Sequence, residues 1–422
     1  MSERQPVVIV GAGLAGLCCA RALQALGAPV LVLEAGDGIG GRVRTDEHEG
    51  FLLDRGFQVL QTAYPEAQRM LDYRHLQLRA FEPGALIWTG GRLVRMSDPW
   101  RRPTTAWSAL TNGVGTYLDR WKLLQLRRHV VRHTPEQLLG EPDMPTRDYL
   151  RQHWGFSDDL VQRFFRPWFS GVFLETELAT SSRFFAFTFR MFALGDASLP
   201  EVGMGAIPAQ LAQALPSGTI RLQTRVAEVQ PEGVRLADGT QLAARAVVLA
   251  TDCPAAVQLS HQPKLATSNC STICLYFAAP QPPVSEPILV LNGDGRGPIN
   301  HLTVPSNVSA RYAPANEALI SVSVVGLRRE APDDLRRAVQ EQLAEWFGPS
   351  ARQWRHLRTY TIEHALPAQP AGTVTLEGKD TRLESGVYCC GDHRQAASIQ
   401  GAMLSGRKTA ERIHAELGHS RQ

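Results

Sequence analysis

The most constraining feature of this sequence is a glycine-rich turn between a short apolar strand and a helix near the N-terminus. Val7–Val10 is apolar and β-branched, which predicts a buried parallel strand, and the motif Gly11-Ala12-Gly13-Leu14-Ala15-Gly16 follows it directly. Helical composition continues to Leu26, and a second apolar run, Val30–Leu33, ends at Glu34. This order of strand, glycine turn, helix, strand and acid predicts a dinucleotide-binding βαβ unit.

Each glycine of this turn has a physical role in binding a dinucleotide. Gly11 permits the tight turn, Gly13 allows the backbone to approach a pyrophosphate, and Gly16 allows the helix to pack closely on the strand. The helix N-terminus offers N–H groups and a positive dipole end to the phosphates. Glu34 can accept hydrogen bonds from ribose hydroxyls and would repel a 2′-phosphate, which disfavours NADP. The predicted contacts are Gly11, Gly13, Leu14, Ala15, Gly16, Glu34 and Ala35; the alternative is a βαβ unit whose glycine turn binds nothing.

A second glycine motif, Gly40-Gly41-Arg42, lies just beyond the ribose acid. The pair of glycines permits close backbone approach, and the Arg42 guanidinium offers a planar set of donors to phosphate or to a flavin edge. The motif resembles the FAD fingerprint of the superfamily of flavin amine oxidases, phytoene desaturases and protoporphyrinogen oxidases. The resemblance implies that FAD contacts Gly40, Gly41, Arg42, Gly56 and Phe57; the alternative for Arg42 is a surface arginine.

The far end of the chain carries the matching part of the resemblance. A short apolar strand over 387–390 ends at Gly391-Asp392, and a helix is predicted from Ser398 to about Leu417. The helix dipole would stabilise negative charge on a reduced flavin, whereas the alternative is an ordinary strand-to-helix turn capped by Ser398. The family pattern implies cofactor contacts at Val226, Gly391, Asp392, Gln400, Gly401, Ala402 and Met403.

The predicted fold class is α/β, with a Rossmann-like FAD-binding domain of the GR2 flavoprotein type and a discontinuous α+β substrate-binding domain. The FAD-binding domain is assigned to residues 1–56, 204–262 and 358–422. The substrate-binding domain is assigned to residues 57–203 and 263–357. The resemblance also implies a non-covalent FAD, because no attachment motif accompanies Cys390.

The first part of the predicted substrate domain is rich in aromatic residues, which form either a packed core or the wall of an apolar tunnel. They are Phe164, Phe165, Trp168, Phe169, Phe173, Phe184, Phe185, Phe187, Phe189 and Phe192. His364 is the best polar candidate for the chemistry, and a purely structural histidine is the alternative.

The segment 100–133 is strongly basic and contains three tryptophans. It could lie on an anionic membrane and admit a lipid, or it could be a solvated helix face. The formal net charge of the chain, 44 − 41 = +3, is too small to indicate nucleic-acid binding. The chain shows neither a signal peptide nor an apolar run of about 18 residues. We therefore expect a cytoplasmic protein, or one that is peripheral on the inner face of the membrane.

The seven cysteines show no CxxC pair and no Cys/His spacing for zinc, so the sequence predicts no metal site. A vicinal disulfide at Cys389–Cys390 is an alternative to reduced thiols, although adjacent cysteines close a strained ring.

The resemblance implies an FAD-dependent oxidoreductase that removes hydride from a hydrophobic, isoprenoid- or carotenoid-like lipid, or isomerises it. The alternatives are an amine oxidase, a protoporphyrinogen-type oxidase using O₂, and a protein without flavin catalysis, as in the Rab escort proteins. The amine oxidase pattern has a lysine where this sequence has Thr272, and an aromatic residue where it has Ser398. Amine oxidation is therefore the less favoured alternative.

Overall fold

The computed structural model describes residues 5–97, 113–375 and 378–419. In chain order its β-strands are β1 Val7–Val10, β2 Val30–Leu33, β3 Thr45–His48, β4 Phe51–Asp54, β5 Leu60–Gln61, β6 Arg79–Ala80, β7 Gly84–Thr89, β8 Arg92–Ser97, β9 Ala197–Leu199, β10 Ile220–Arg221, β11 Val226–Gln230, β12 Gly233–Leu236, β13 Gln241–Ala243, β14 Ala246–Leu249, β15 Asn269–Ala279, β16 Leu289–Asn292, β17 His301–Thr303, β18 Ala318–Val325, β19 Arg355–Pro367 and β20 Tyr388–Cys389.

The described α-helices are α1 Leu14–Ala25, α2 Pro65–Met70, α3 Tyr73–Leu76, α4 Tyr117–Arg132, α5 Pro135–Gly140, α6 Thr146–Asp148, α7 Asp158–Leu160, α8 Arg166–Phe173, α9 Ser182–Leu194, α10 Ala206–Gln213, α11 Cys253–Ser260, α12 Pro305–Val308, α13 Pro332–Phe347 and α14 Ile399–His419. π-Helical turns at Tyr149–His153 and Val161–Phe165 continue α6 and α7.

A parallel sheet of short strands, in the order β10-β2-β1-β14-β20, carries the glycine turn. Side chains of β1 alternate between its two faces: Val7 and Ile9 pack with α1, whereas Val8 and Val10 pack with the small sheet β11–β13. Both faces are covered, which explains the uninterrupted apolar sequence of this strand. The Rossmann-like arrangement predicted from the sequence is confirmed.

A larger mixed sheet, in the order β19-β15-β18-β17-β16-β7-β8, forms the floor of the second region. Only the pairing of β16 with β7 is parallel in this sheet. In β15, Ile273, Leu275 and Phe277 pack against α13, while Cys274 and Tyr276 face the interior of the molecule. Because side chains alternate along a strand, Thr272 shares the interior face with Cys274.

One predicted domain boundary is wrong. The strand β19 pairs along most of its length with β15 of the mixed sheet, so the boundary at residue 358 falls inside a strand. The N-terminal segment 57–203 and the segment 263–357 meet in the same sheet, where β7 pairs with β16. A strand belongs to the sheet that contains its partners, and these partners are distant in sequence.

The aromatic residues of the second region serve as both core and wall. Phe165, Phe169, Phe173 and Phe185 are at most 2% exposed and pack on one another between α8 and α9. Others face an internal cavity, namely Phe164, Trp168, Phe184, Phe189 and Phe192. The two alternatives weighed for this cluster therefore apply to different members of it. Among the described residues, no helix is both long and apolar enough to cross a membrane.

Candidate flavin site

The three glycines of the first turn are needed for three different physical reasons. Gly11 has φ +108°, and a Cβ at this position would lie 2.7 Å from the carbonyl oxygen of Ala250. A Cβ on Gly16 would lie 2.0 Å from the carbonyl oxygen of Gly11. A Cβ on Gly13 would meet no atom within 4 Å, so the protein leaves open space there. The open space at Gly13 lies at the start of α1, whose first turn has no side-chain cap. Its N–H groups are therefore available to an anion.

Glu34 lies beside this turn with both of its carboxylate oxygens engaged. Oε2 accepts a hydrogen bond of 2.8 Å from Ala12 N, and Oε1 accepts one of 2.7 Å from Gly36 N. These bonds fix the carboxylate at the C-terminal end of β2, and Glu34 lines the same cavity as Gly13. The acid therefore braces the glycine turn and also presents its oxygens where the sequence places the ribose.

The second glycine motif closes against the first. Gly40 pairs with Gly13 in an isolated parallel bridge, and Gly40 N donates to Ala12 O at 2.8 Å. Gly40 and Gly41 have φ values of +102° and +60°, which only glycine adopts readily. A Cβ on Gly41 would meet only the Gly13 Cα, at 3.5 Å. The two glycine motifs thus form a cradle of bare backbone.

Arg42 joins the two ends of the chain. Its Nη2 lies 2.8 Å from Asp392 Oδ2, and its Nη1 donates to Ala365 O at 2.8 Å. Asp392 is 5% exposed, and Gly391 before it has φ +152° and donates its N–H to Ser405 Oγ. Arg42 is therefore an anchored residue of the site rather than a free surface arginine.

Of the residues of the last helix that the sequence assigns to the cofactor site, only some line the cavity with their side chains. Ala402 lines the cavity, as do Ser398 and Ile399. Gln400 turns away, because its Oε1 accepts a hydrogen bond from Glu66 N at 2.8 Å. Met403 is fully buried in the core. Side chains in the first turn of a helix point in different directions, so adjacent residues cannot all face one ligand.

Gly401, the other residue of this helix that was assigned to the cofactor site, has a packing role. A Cβ on Gly401 would lie 1.8 Å from Ala396 O. Gly16, Gly391 and Gly401 shape the backbone without lining the cavity themselves. Gln400 and Met403 do not line it either, whereas the other predicted cofactor residues do, namely Gly11, Gly13, Leu14, Ala15, Glu34, Ala35, Gly40, Gly41, Arg42, Gly56, Phe57, Val226, Asp392 and Ala402.

A cavity of about 1040 Å³ runs from this cradle to the aromatic helices. Its volume is at the upper end of the range of about 300–1,000 Å³ that is usual for ligand pockets. The bare backbone at Gly13 and Gly41, the acid at Glu34 and the uncapped α1 suit the pyrophosphate and ribose of FAD. The residues present therefore fit this cofactor. No described cysteine lines the cavity, and all seven cysteines are free thiols.

Sequence analysis missed His301, which lines the cavity from β17. Asn300 Nδ2 donates to Pro167 O at 2.9 Å and lies 3.0 Å from His301 Nδ1. Because an amide nitrogen can only donate, His301 Nδ1 accepts this second hydrogen bond. The proton of the neutral ring is then on Nε2, which finds no hydrogen-bond acceptor among the described residues. Burial lowers the pKa of His301 to about 4. No local motif marks this residue, because its environment comes from strands and helices distant in sequence.

His301 lies where the flavin side and the substrate side of the cavity meet. Its ring makes an edge contact with Phe57 at 5.2 Å, and Phe57 in turn contacts Phe81 at 6.0 Å. A Cβ on Gly171 of α8 would lie 2.7 Å from His301 Nδ1. The histidine is thus packed between the loop after Gly56 and the aromatic helices.

Contrary to the prediction, the structure does not place His364 in the candidate site. Its side chain is exposed and does not line the cavity, whereas Ile362, Ala365 and Leu366 do. Cys270 pairs with Leu366, and Thr272 pairs with Ile362, so β19 bulges between these two pairs. The bulge carries Glu363 and His364 outward, and a simple strand alternation cannot anticipate it. Thr272 itself is buried, lines the cavity, and donates its hydroxyl to Val324 O at 3.0 Å.

Comparison with known proteins is consistent with this geometry. Coproporphyrinogen III oxidase from Propionibacterium freudenreichii subsp. freudenreichii is 29% identical over 178 residues, which is 40% of this chain and 31% of that protein. Phytoene dehydrogenase from Streptomyces griseus is 28% identical over 285 residues, 60% of this chain and 55% of that protein. The matched stretches thus cover less than two thirds of either relative.

Solved structures share the fold at low identity. Cyclohexylamine oxidase from Brevibacterium oxydans IH-35A superposes with a TM-score of 0.73 at 18% identity, over 99% of this chain and 100% of that one. The family model for flavin containing amine oxidoreductases matches residues 14–414, from the first residue of α1 into α14. Gly40, Gly41 and the Arg42–Asp392 pair lie within that stretch, and Gly11 and Gly13 lie just before it. The chain belongs to the flavin containing amine oxidoreductase family and is an FAD-dependent oxidoreductase.

Proposed function

We propose that this oxidoreductase acts on a hydrophobic, isoprenoid-like substrate, which it dehydrogenates or isomerises. The observation that carries the proposal is the aromatic wall, which lines the same cavity as the flavin cradle. When bound, FAD supplies a hydride acceptor at N5. The protein must then place a substrate C–H bond beside it and exclude water.

The wall of the substrate side is suited to a long or flat apolar molecule. Trp168 contacts Phe164 and Phe192 at centroid distances of 5.1 and 4.9 Å, and Phe189 lies 6.0 Å away. These rings rest on the fully buried layer formed by Phe169 and Phe185, which fixes their positions. Such a surface gains free energy by removing apolar area from water, at about 25 cal/mol per Å².

Several polar groups on the sheet floor are neutral, although the cavity lining also includes the charged side chains of Arg358, Glu82 and Arg127. His301 is neutral at physiological pH because burial lowers its pKa to about 4. Thr272 and Ser323 line the floor of the cavity, and Ser398 lines it from the start of the last helix. Thr272 carries no ammonium group, and Ser398 offers no ring to stack on an amine. These residue types support a hydrocarbon substrate over an amine.

The anchored arginine has a defined part in this proposal. Arg42 ties the loop after β2 to Asp392 and to the Ala365 carbonyl of β19, and so holds the two ends of the chain around the cofactor. Ile362 of the same strand lies against Gly56, where a Cβ would approach its Cδ1 to 2.7 Å. The floor strand and the cofactor loops are thus packed together, which fixes where a substrate can meet the flavin.

Anaerobic stopped-flow absorbance tests the substrate class. Detergent-solubilised isoprenoid polyenes should bleach the flavin if the enzyme dehydrogenates them. If the enzyme isomerises them instead, chromatography after incubation with pre-reduced enzyme should reveal the isomer. Primary amines, polyamines and amino acids should reduce the flavin slowly and without saturation. Fast, saturable reduction by any of these amines, with no reaction of the polyenes, would overturn the proposal.

A flat tetrapyrrole is the second candidate, and one observation favours it. Arg127 of α4 lines the cavity beside the aromatic wall, and its guanidinium could hold a substrate carboxylate. The relative from Propionibacterium freudenreichii is named for such a substrate. The same stopped-flow measurement with a reduced tetrapyrrole, carried out on wild type and on Arg127→Leu, separates the two candidates. The substitution should weaken the binding of a tetrapyrrole carboxylate, but it should not change the binding of a hydrocarbon substrate.

Contact with an anionic membrane is part of the proposal, because a lipid substrate must be extracted from a bilayer. Residues 100–112 of the predicted basic segment lie outside the described residues. In the described part, Tyr117, Leu118 and Trp121 of α4 are 75%, 56% and 54% exposed, and Arg128 and Arg132 are exposed on the same helix. Apolar side chains beside arginines suit the headgroup region of anionic lipid.

Vesicle sedimentation at low and high salt tests this contact. The wild-type protein should sediment with anionic vesicles and lose binding as salt rises, since each basic residue contributes about 1 kcal/mol near such a surface. The double variant Arg128→Glu/Arg132→Glu should bind weakly, whereas Arg337→Glu on α13 should bind as wild type. Equal sedimentation with neutral and anionic vesicles would reject the electrostatic part of the proposal.

A further inference from the structure

A cluster of potential metal ligands lies at the C-terminal end of α4, where the sequence contains no cysteine-based zinc motif. His129, His133 and Glu141 each offer one ligand atom, and these atoms lie within 4.8 Å of one another. We propose that these three residues bind a divalent transition-metal ion, with Zn²⁺ the best match. Two imidazoles and one carboxylate form a ligand set that proteins use for zinc, with a fourth position left to water.

Local structure brings the three side chains together. His129 and His133 are four residues apart, so they lie one above the other on one side of α4 and its C-cap, with their rings 4.4 Å apart. Thr134 and Gln137 form a capping box that starts α5 at once. This short helix then returns the chain, so that Glu141 Oε1 lies 2.8 Å from His129 Nε2.

The neighbouring helix α9 holds the backbone of two of the ligands. Arg190 Nε donates to His133 O at 2.9 Å, and Arg183 Nε donates to Glu141 O at 2.6 Å. Both arginines use their donors on carbonyl groups and so fix the turn that carries the ligands. Such outer contacts orient metal ligands and are part of a pre-formed site.

The orientations of the two imidazoles suit a metal better than a simple ion pair. His133 Nδ1 lies 2.8 Å from His129 O, and a carbonyl can only accept, so Nδ1 carries the proton and Nε2 keeps its lone pair. His129 Nε2 is buried and makes no hydrogen bond, although Glu141 Oε1 is 2.8 Å away. The oxygen is therefore off the direction of the ring N–H, as expected for two ligands that converge on a shared ion.

Binding a zinc ion requires an adjustment of all three side chains, whose ligand atoms lie within 4.8 Å of one another. Two ligand atoms at about 2.0–2.2 Å from a tetrahedral zinc are separated by roughly 3.3–3.5 Å, so the His129–Glu141 pair needs to open by about half an ångström. The side chains of both residues are 25% exposed, which leaves a path for the ion and for a water ligand. Trp154 covers the other side of the cluster, with its ring 5.7 Å from that of His129.

Metal binding would tie the end of α4 to the turn after α5. The same helix carries Leu123 and Arg127, which line the cavity. The bound ion would therefore hold one wall of the substrate side in place, at a site separate from the flavin cradle.

The proposal is tested on tag-free, FAD-loaded protein that has been stripped with a chelator and then titrated with ZnCl₂ by calorimetry. We expect one equivalent of Zn²⁺ per chain and a higher melting temperature when it is bound. His129→Ala, His133→Ala and Glu141→Gln should each weaken binding by at least about 10-fold, since loss of even an outer partner of a metal ligand costs about 10–100-fold. His364→Ala, which removes an exposed histidine far along the chain, should bind as wild type.

Flavin absorbance and content show whether each variant is folded, because the cofactor site does not include these residues. Glu141→Gln keeps the shape of the side chain and serves as the variant least able to disturb folding. Co²⁺ in place of Zn²⁺ should give visible d–d bands typical of four-coordinate nitrogen and oxygen ligands, and these bands should be lost in His133→Ala. Absence of saturable Zn²⁺ binding in the folded wild type, or equal binding by the three ligand variants, would overturn the proposal and leave an ordinary His–Glu ion pair.

Discussion

The flavin cradle and the substrate side of the same cavity differ in whether backbone or side chains form their surfaces. The cradle is mostly backbone: Gly13 and Gly41 face open space, and one acid, Glu34, accepts hydrogen bonds from Ala12 N of the turn and from Gly36 N. The substrate side is mostly side chain, with stacked and tilted rings from α8 and α9 over a floor of strands. Backbone geometry restricts residue choice to a few types at fixed spacing, whereas a packed apolar wall accepts many combinations of similar volume. One region therefore identifies its ligand and the other does not.

The largest effect is expected from Glu34→Arg, which tests whether the cradle depends on this single acid. The change removes the charge-assisted hydrogen bonds from Ala12 N of the glycine turn and from Gly36 N, and it places a cation at the ribose position. Losing the carboxylate that accepts from the ribose hydroxyls costs about 1.5–3 kcal/mol per bond, so FAD affinity should fall by 100-fold or more. Flavin titration of the apoprotein measures the change, and Glu47→Arg on β3 provides the control. Wild-type affinity in Glu34→Arg would show that the acid does not hold the cofactor.

A pair of phenylalanine substitutions tests the substrate side. Phe185→Ala empties a position that is fully buried and does not line the cavity, and it should cost about 3–5 kcal/mol of unfolding free energy. Phe189→Ala enlarges the cavity wall itself, so it should cost less stability and should raise KM for a hydrophobic substrate. Chemical denaturation and steady-state kinetics together separate the two variants. Equal losses of stability would mean that Phe189 is a core residue and not part of the wall.

Buried His301 should make stability depend on pH. Its pKa is about 4 in the folded protein against 6.5 ordinarily, so the unfolded chain binds the proton more readily. Stability is therefore retained above pH 6.5 and lost as the pH falls towards 4. Between pH 7.5 and pH 5 the loss from this group should be about 2 kcal/mol. Burial also raises the pKa of Asp54 to about 6 and lowers that of His393 to about 4, but these groups titrate in both wild type and His301→Phe. Denaturation of the two proteins at both pH values therefore isolates the contribution of His301, and an identical pH dependence would exclude it.

The smallest stability changes distinguish the roles of two neighbouring glycines. Gly16→Ala forces a Cβ to 2.0 Å from Gly11 O and should cost about 1–3 kcal/mol of unfolding free energy. Gly13→Ala meets no protein atom within 4 Å, so its stability should be close to that of wild type. The added methyl group should instead weaken FAD binding, because it occupies the space left for the pyrophosphate. A destabilised Gly13→Ala with unchanged FAD affinity would contradict this division of roles.

Sequence alone determined the cofactor and the strands that carry it. The spacing of Gly11, Gly13 and Gly16 before Glu34 is local, and each residue acts through backbone conformation or charge within one βαβ unit. The bulge in β19, which turns His364 outward, depends on pairing with Cys270 and Thr272 almost a hundred residues earlier. Pairing of this kind cannot be deduced from a local pattern, and the domain boundary at residue 358 failed for the same reason.

Only the tertiary structure decided which polar residues meet in the interior. His301 reaches the cavity because β17 lies in the mixed sheet and α8 packs over it, and no motif around residue 301 signals this. The group of His129, His133 and Glu141 depends on the turn between α4 and α5, which folds Glu141 back onto the helix end. A single sequence identifies a ligand where a local stretch of backbone binds it. Side chains from distant elements converge only after packing has set their distances, and that is information a single sequence does not display.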